Sequence, residues 1–374
     1  MGTQETPPLR VLMVTPRYLP SVGGTEIHTW QTARHLSASG AEVTVLAADA
    51  LGRTERSTTD SVRLVRVPAR PRGGDLFFSP AVYREVADGS WDVVHLQGYH
   101  TLVPPTAILA ARRARIPYVL TFHSGGHSSH LREAVRGVQA AALRPLLAGA
   151  HRLICMSRFE ARLFSRRLRL PHERFAVIPS GSQLEPASKR LPHSGADPLI
   201  VSVGRLERYK GHQHVIAALP LVSEREPKVR LRLVGSGPYE ADLRRLAHTL
   251  GIAHRVQIAP LPASDRDAMA ALLAEAALVV SLSEYESLGM GVLEAIGLGC
   301  SVLVANTSAL NEFAERSLAR SIERGNPEDT ARAIVEQLRA PFTPTALELP
   351  TWAGCAASLL EVYRAALGST MATA

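Results

Sequence analysis

The residues best suited to chemistry lie in the second half of the chain. Glu286 and Glu294 bracket the stretch Glu286-Ser-Leu-Gly-Met-Gly-Val-Leu-Glu294. The first carboxylate follows an apolar run and the second falls inside the next helix. Gly289, Met290 and Gly291 lie between them, at a helix N-terminus whose backbone N–H groups can reach anionic oxygens. Carboxylates accept hydrogen bonds from sugar or ribose hydroxyls. Glu294 would also suit a helix's first turn on electrostatic grounds alone, but its flanks, Leu293 and Ala295, make it an uncomfortable surface charge. A second cluster is Gly204-Arg-Leu-Glu-Arg-Tyr-Lys-Gly211. Arg205 and Lys210 follow a strand, where a forked guanidinium and a compact ammonium suit a diphosphate. Two solvated surface cations would read the same way. Lysine otherwise occurs only at Lys189 and Lys228, so its use at 210 is selective. The third cluster, Leu233-Val-Gly235-Ser-Gly237-Pro238, is another strand-to-glycine turn. Glu240 stands where a dinucleotide fingerprint needs a third small residue, which argues against an NAD enzyme.

Short apolar runs position these clusters. Val11–Thr15, Val43–Ala47, Val62–Val67, Val93–Leu96, Tyr118–Phe122, Leu153–Met156 and Val177–Pro179 read as strands of one half, with helices such as Glu26–Ser39 and Thr106–Arg115 between them. Most runs are continuous rather than alternating, as in parallel sheets covered on both faces. Glu185–Pro198 has no periodicity and reads as a linker. Alternation then restarts with strands at Leu199–Val203, Val229–Val234, Val256–Ala259, Leu278–Leu282 and Ser301–Ala305. The expected architecture is α/β, with a first Rossmann-like domain over residues 1–190 and a second over 191–351. A last helix near 352–367 is expected to pack back on the first domain. Ligands of such sheets sit at the carboxyl ends of strands, so two facing domains would enclose a cleft.

The second half resembles the retaining nucleotide-sugar glycosyltransferases that carry a Glu-x7-Glu motif, family 4 of these enzymes, with a GT-B fold. The resemblance rests on Glu286 through Glu294 and on Gly204 through Gly211, and it extends over nearly the whole chain. It implies that Arg205 and Lys210 bind the donor diphosphate, Glu286 the transferred sugar and Glu294 the ribose. Gly204 and Gly235 line the donor site, and Gly289, Met290 and Gly291 offer N–H groups. In the first half, Gly23 and Gly24 match the family's glycine-rich loop, which approaches the donor phosphate. His123, in Leu120-Thr-Phe-His-Ser-Gly-Gly-His127, matches its histidine near the reaction centre. The implied catalytic set is His123, Arg205, Lys210 and Glu286. Gln97, Tyr99, His100 and His127 are acceptor-contact candidates, although loop polarity explains them equally well. The sequence departs from the family at Ser180 and Gln183, where Asn and Asp are usual, and at Leu288, where Phe is common.

The implied reaction is transfer of a hexosyl or aminohexosyl group from a nucleotide-diphosphate sugar, UDP-sugar first, to an acceptor hydroxyl. A small polar natural-product or aminocyclitol core is the favoured acceptor. A membrane lipid, a phospho-inositol or a polysaccharide is the alternative. A nucleotide-sugar epimerase, an NAD-dependent oxidoreductase and a non-catalytic nucleotide-sugar-binding protein are competing readings. No cofactor and no metal are expected, because no carboxylate or cysteine joins His123, His127 and His130.

Bulk composition narrows the partners. The 374 residues suffice for two cores. The net charge of +8 could attract anions, but aromatics are only 5% and no basic tract interleaves with them, so nucleic acid is not expected. The basic segment Leu131–Leu147 could meet an anionic membrane, yet Pro145 and its alanines favour a helix packed on the protein. Cys155, Cys300 and Cys355 are odd in number and widely spaced, which suggests a reducing cytoplasm.

Overall fold

The computed structural model describes residues 7–20, 23–49, 51–71, 77–124, 130–182, 197–262, 265–344 and 348–371. It divides into two compact units, one of Met1–Ser124, Leu131–Gly181 and Pro350–Ala374 and the other of Gly125–His130 and Ser182–Leu349. The stretch read as a linker, and with it Gln183, lies almost wholly outside the described residues.

Unit 1 runs β1 (Arg10–Thr15), α1 (Gly24–Ala38), β2 (Glu42–Asp49), β3 (Glu55–Thr59), β4 (Val62–Pro68), α2 (Pro80–Ala87), β5 (Val93–Gln97), α3 (Val103–Arg113), β6 (Tyr118–Thr121), α4 (His130–Leu147), β7 (Arg152–Cys155), α5 (Arg158–Leu168) and β8 (Phe175–Val177). The sheet order is β3-β4-β2-β1-β5-β6-β7-β8. Every pairing is parallel except β3 on β4. β3, Glu-Arg-Ser-Thr-Thr, is polar and mostly exposed, so no apolar run announced it. The sheet order reverses between β1 and β5, the switch point at which such sheets take ligands.

Unit 2 runs β9 (Leu199–Val203), α6 (His212–Arg225), β10 (Arg230–Val234), α7 (Glu240–Thr249), β11 (Val256–Ala259), α8 (Arg266–Glu275), β12 (Leu278–Ser281), α9 (Met290–Gly297), β13 (Val302–Ala305), α10 (Leu310–Glu315), β14 (Arg320–Ile322) and α11 (Pro327–Arg339). Its all-parallel sheet has the order β11-β10-β9-β12-β13-β14, with the switch point between β9 and β12. Three helices are capped by side chains among the described residues. Ser157 accepts from Glu160 N, Asp265 from Ala268 N and Asn326 from Asp329 N.

The last helix, α12 (Trp352–Met371), belongs to unit 1. Cys355, Ala356, Leu359, Leu360 and Tyr363 pack with Val11, Met13, Val43, Val45 and Ala33 in one core cluster. Chain exit and return are neighbours. A Cβ on Gly181 would run into the backbone of Thr351 and Trp352, so only glycine lets the two segments touch. In α4, Ala140 and Leu147 are buried, Val138 is exposed, and Arg144 Nε donates to Leu168 O at 2.7 Å. Among the described residues, no helix is long and apolar enough to cross a membrane.

Candidate functional site

In unit 2 the two loops at the switch point carry most of the expected donor residues. Gly204, Arg205 and Lys210 follow β9, and Ser283 through Gly289 follow β12. Lys210 Nζ donates to Glu286 Oε1 at 2.6 Å, with the two side chains 15% and 17% exposed. Ser283 Oγ donates to the same oxygen at 2.8 Å, and Ser308 Oγ accepts from Glu286 N at 2.9 Å. Arg205 reaches Tyr209 OH at 2.9 Å and Glu207 Oε1 at 2.8 Å, while most of its side chain stays exposed. A cation and a carboxylate held in one place by these hydroxyls can meet both halves of a polar ligand, an anion and its hydroxyls.

Three glycines of this site have mainly internal reasons. A Cβ on Gly235 would strike Gly204 O, so the β9 and β10 loops meet backbone to backbone. Gly291 lies against Val203, and a Cβ added there would stand 3.4 Å from Val203 Cβ. Gly289 takes φ +88° at the N-cap of α9, a conformation that favours glycine. The next residues, Met290 and Gly291, begin the helix with N–H groups that have no acceptor inside it. Glu294, further along α9, is 12% exposed and ion-paired with Arg266 at the start of α8. Burial raises the Glu294 pKa, and Arg266 pulls it back down. Sequence reasoning missed Arg266, since nothing in an Asp-Arg-Asp run marks which arginine meets a distant carboxylate. His212, at the start of α6 beside Gly204, is buried, bonded to Ser202 Oγ at 3.0 Å, and pushed down to about 4 by desolvation.

In unit 1 the corresponding edge holds Gly23 and Gly24 after β1, Gln97 at the end of β5 and His123 after β6. Among the described residues, a Cβ on Gly24 would meet nothing within 4 Å, whereas one on Gly23 would lie 2.6 Å from Glu26 Oε2. His123 Nε2 donates to Gln97 Oε1 at 2.7 Å, and His100 Nε2 donates to His123 O at 3.3 Å. Since an amide oxygen only accepts, this bond puts the proton on Nε2 and leaves Nδ1 as the acceptor. Burial holds the His123 imidazole well below its usual range, with His28, His95 and His100 adding to the effect.

Behind it stand two more buried imidazoles. His28 lies edge-on to His123 at 4.9 Å and bonds Ser180 Oγ at 2.8 Å. His95 is bound by Tyr363 OH at 2.6 Å and Thr121 Oγ1 at 2.7 Å. Desolvation depresses them to about 4 and about 3. Ser180 thus has a partner of its own, which accounts for a hydroxyl at this departure from the family. Glu160 of α5 is buried, accepts from Met156 N at 2.8 Å and from Ser124 N and Oγ, and is raised to about 7 by desolvation.

Two of the acceptor candidates need correction. Gln97 is fully buried and occupied by His123, although its Nε2 finds no partner. Tyr99 is 1% exposed, packed edge-on to Phe122 and Phe164 at 5.5 Å, so it is a core aromatic rather than a surface contact. Its apolar ring outweighed the loop polarity around it. His100 is half-buried and lies tilted against Tyr99, ring centroids 4.2 Å apart. His127 lies outside the described residues.

Comparison with known proteins gives the same assignment. The model of Glycosyltransferase Family 4 matches residues 22–185, and that of Glycosyl transferases group 1 matches residues 185–348. A D-inositol 3-phosphate glycosyltransferase of Nocardiopsis dassonvillei is 30% identical over 308 residues, covering 74% of this chain and 70% of that one. Among solved structures, a sucrose-phosphate synthase from Thermosynechococcus elongatus superposes with a TM-score of 0.75 at 19% identity, covering 96% of this chain and 100% of that one. Anabaena HepE in complex with UDP and glucose gives 0.70 at 18% identity, covering 98% and 100%. The fold is of the GT-B kind. With its twin Rossmann-like units and the Glu-x7-Glu stretch at the switch point of the second, this chain belongs to the family 4, group 1 glycosyltransferases.

Proposed function

We propose that this glycosyltransferase moves a hexosyl or aminohexosyl group from a UDP-sugar to a hydroxyl of a small polar acceptor, with retention of anomeric configuration and without a metal. The observation that carries the reading is the Lys210–Glu286 pair beside Arg205 at the unit 2 switch point. Arg205 and Lys210 take the diphosphate, Glu286 takes hydroxyls of the transferred sugar, and Glu294 takes the ribose. The complex of HepE with UDP and glucose supports a uridine nucleotide as donor.

In the proposed step the acceptor oxygen bonds to the anomeric carbon on the face from which the diphosphate leaves. The bond from that carbon to the phosphate oxygen breaks, and a leaving phosphate oxygen takes the acceptor proton. The two cations stabilise the charge that develops on the diphosphate, the part a metal plays elsewhere. His123, neutral and fixed by Gln97, orients the donor sugar. Gly23 and Gly24 let the backbone approach the donor phosphate. Among the described residues, no three metal-ligating side chains converge.

A phosphorylated cyclitol is the second reading of the acceptor, favoured by the likeness to the D-inositol 3-phosphate glycosyltransferase of Nocardiopsis. Calorimetry with UDP, GDP and ADP on the wild type and on Lys210→Ala tests the donor reading. Binding of one nucleotide, lost in the variant, supports it, and no binding of any of the three overturns it. Transfer assays with free and phosphorylated inositol then separate the two acceptor readings.

A further inference from the structure

Glu294 sits in an apolar helix. Its neighbours Leu293 and Ala295 are buried, and α9 contributes no cation. The cation that reaches it comes from another element. Arg266 is the first residue of α8, and Asp265 caps that helix by accepting from Ala268 N at 3.0 Å, which fixes the backbone from which Arg266 projects. Arg266 Nη2 donates to Glu294 Oε1. Among the described residues, Glu294 Oε2 accepts no hydrogen bond and the other guanidinium N–H groups donate none. Arg266 is 40% exposed while Glu294 is 12% exposed, so the pair opens toward solvent on the arginine side.

A buried carboxylate with one oxygen unspent, beside a fork with donors unspent, is half of a recognition site. Its complement must donate to the carboxylate and accept from the guanidinium at adjacent atoms. A vicinal diol does this, since each hydroxyl both donates and accepts. We infer that Arg266 is a specificity-determining residue that, paired with Glu294, reads the ribose diol of the nucleotide. The inference rests on the reading of Glu294 as the ribose contact and adds how that contact is kept competent. Burial raises the Glu294 pKa above its ordinary value, and Arg266 offsets part of that rise. Without the guanidinium the carboxyl tends toward its neutral form and loses acceptor strength.

The test is calorimetric binding of UDP and of its 2′-deoxy and 3′-deoxy forms to the wild type, Arg266→Ala, Arg266→Lys, Glu294→Gln and the Arg266→Ala/Glu294→Gln double variant. If GDP or ADP binds in place of UDP, its own deoxy series is used, and thermal melts establish that each variant is folded. We expect Arg266→Ala to weaken UDP about tenfold or more, the scale of a charge-assisted hydrogen bond. A deoxy form that already lacks the contact should be weakened far less, and the loss should vanish in the Glu294→Gln background. Lysine should restore part of the affinity, because it keeps the charge but not the fork. Equal weakening of UDP and both deoxy forms, or no weakening of UDP, overturns the role of Arg266. If the wild type binds all three alike, the ribose reading of Glu294 itself fails and takes this inference with it.

Discussion

Lys210 and Glu286 come from loops 76 residues apart, yet Nζ and Oε1 stand at 2.6 Å with both side chains largely out of solvent. The pair ties the residue expected to meet the diphosphate to the one expected to meet the sugar. Lys210→Ala therefore removes a cation and also leaves a shielded carboxylate unpaired. The expected result is a fall in turnover of about 100-fold or more, read as nucleoside diphosphate release, with the protein still folded by circular dichroism. Lys210→Arg should recover only part of the rate, since a planar fork does not replace a compact charge.

Gly24 separates folding from function. It opens α1, no atom of the described residues lies within 4 Å of a Cβ built there, and it has no left-handed φ. Alanine there should stabilise the protein by about 0.4–1 kcal/mol by restricting the unfolded chain, seen as a higher midpoint in urea. If the donor phosphate needs that space, the same variant loses transfer activity. A stable and fully active Gly24→Ala would show that the space is not used.

Gln97 acts through its neighbour. Gln97→Ala removes the acceptor that fixes the Nε2–H tautomer of His123. The expected effect is about a 10- to 100-fold fall in kcat with little change in nucleotide affinity, because the nucleotide contacts lie in unit 2. A loss of nucleotide affinity equal to the loss of kcat would contradict it.

Acid stability follows from the buried imidazoles. The folded pKa values of His28 and His95, about 4 and about 3, lie below the ordinary 6.5. Between those limits the unfolded chain binds more protons, so their contribution is whole above about 6.5 and falls as pH drops. Glu160 works the other way. Its folded pKa of about 7 lies above the ordinary 4.5, so its contribution is whole below 4.5 and is lost as pH rises through 7. From 7 down to 4.5 the carboxyl partly offsets the histidines. Glu160→Gln should steepen the acid-side loss there by up to about 1.4 kcal/mol per pH unit, measured by urea unfolding across the range. An unchanged slope would mean that Glu160 does not titrate in that window.

Tyr363→Phe should cost about 1–2 kcal/mol in urea unfolding, since it strips the partner from buried His95 Nδ1 while keeping the ring. Nucleotide binding should be unaffected.

The alternation of continuous apolar runs with helices made the central strands legible, because parallel strands covered on both faces must be apolar throughout. β3 escaped, being a polar antiparallel edge, and so did β14, whose Arg-Ser-Ile is too short and too exposed to carry a pattern. Arg205, Lys210 and Glu286 were legible as polar residues in loops that follow apolar strands, and Glu294 by its spacing from Glu286 inside the next helix. Their partners were not. Arg266 and Ser308 act through contacts between distant segments, and nothing local distinguishes them from other polar residues of the chain. Tyr99 shows the opposite limit, a polar-looking loop residue drawn into the core by its ring.

Because Gly181 lies against the backbone of Thr351 and Trp352, residues 182–349, the main segment of unit 2, are spliced into unit 1 through two adjacent joints. During synthesis, the core face that α12 covers must wait until the whole inserted unit has left the ribosome. The same arrangement makes residues 182–349 a cassette, since a short bridge from 181 to 350 would join the remaining chain without them. A 182–349 segment with another nucleotide preference could be grafted at those joints.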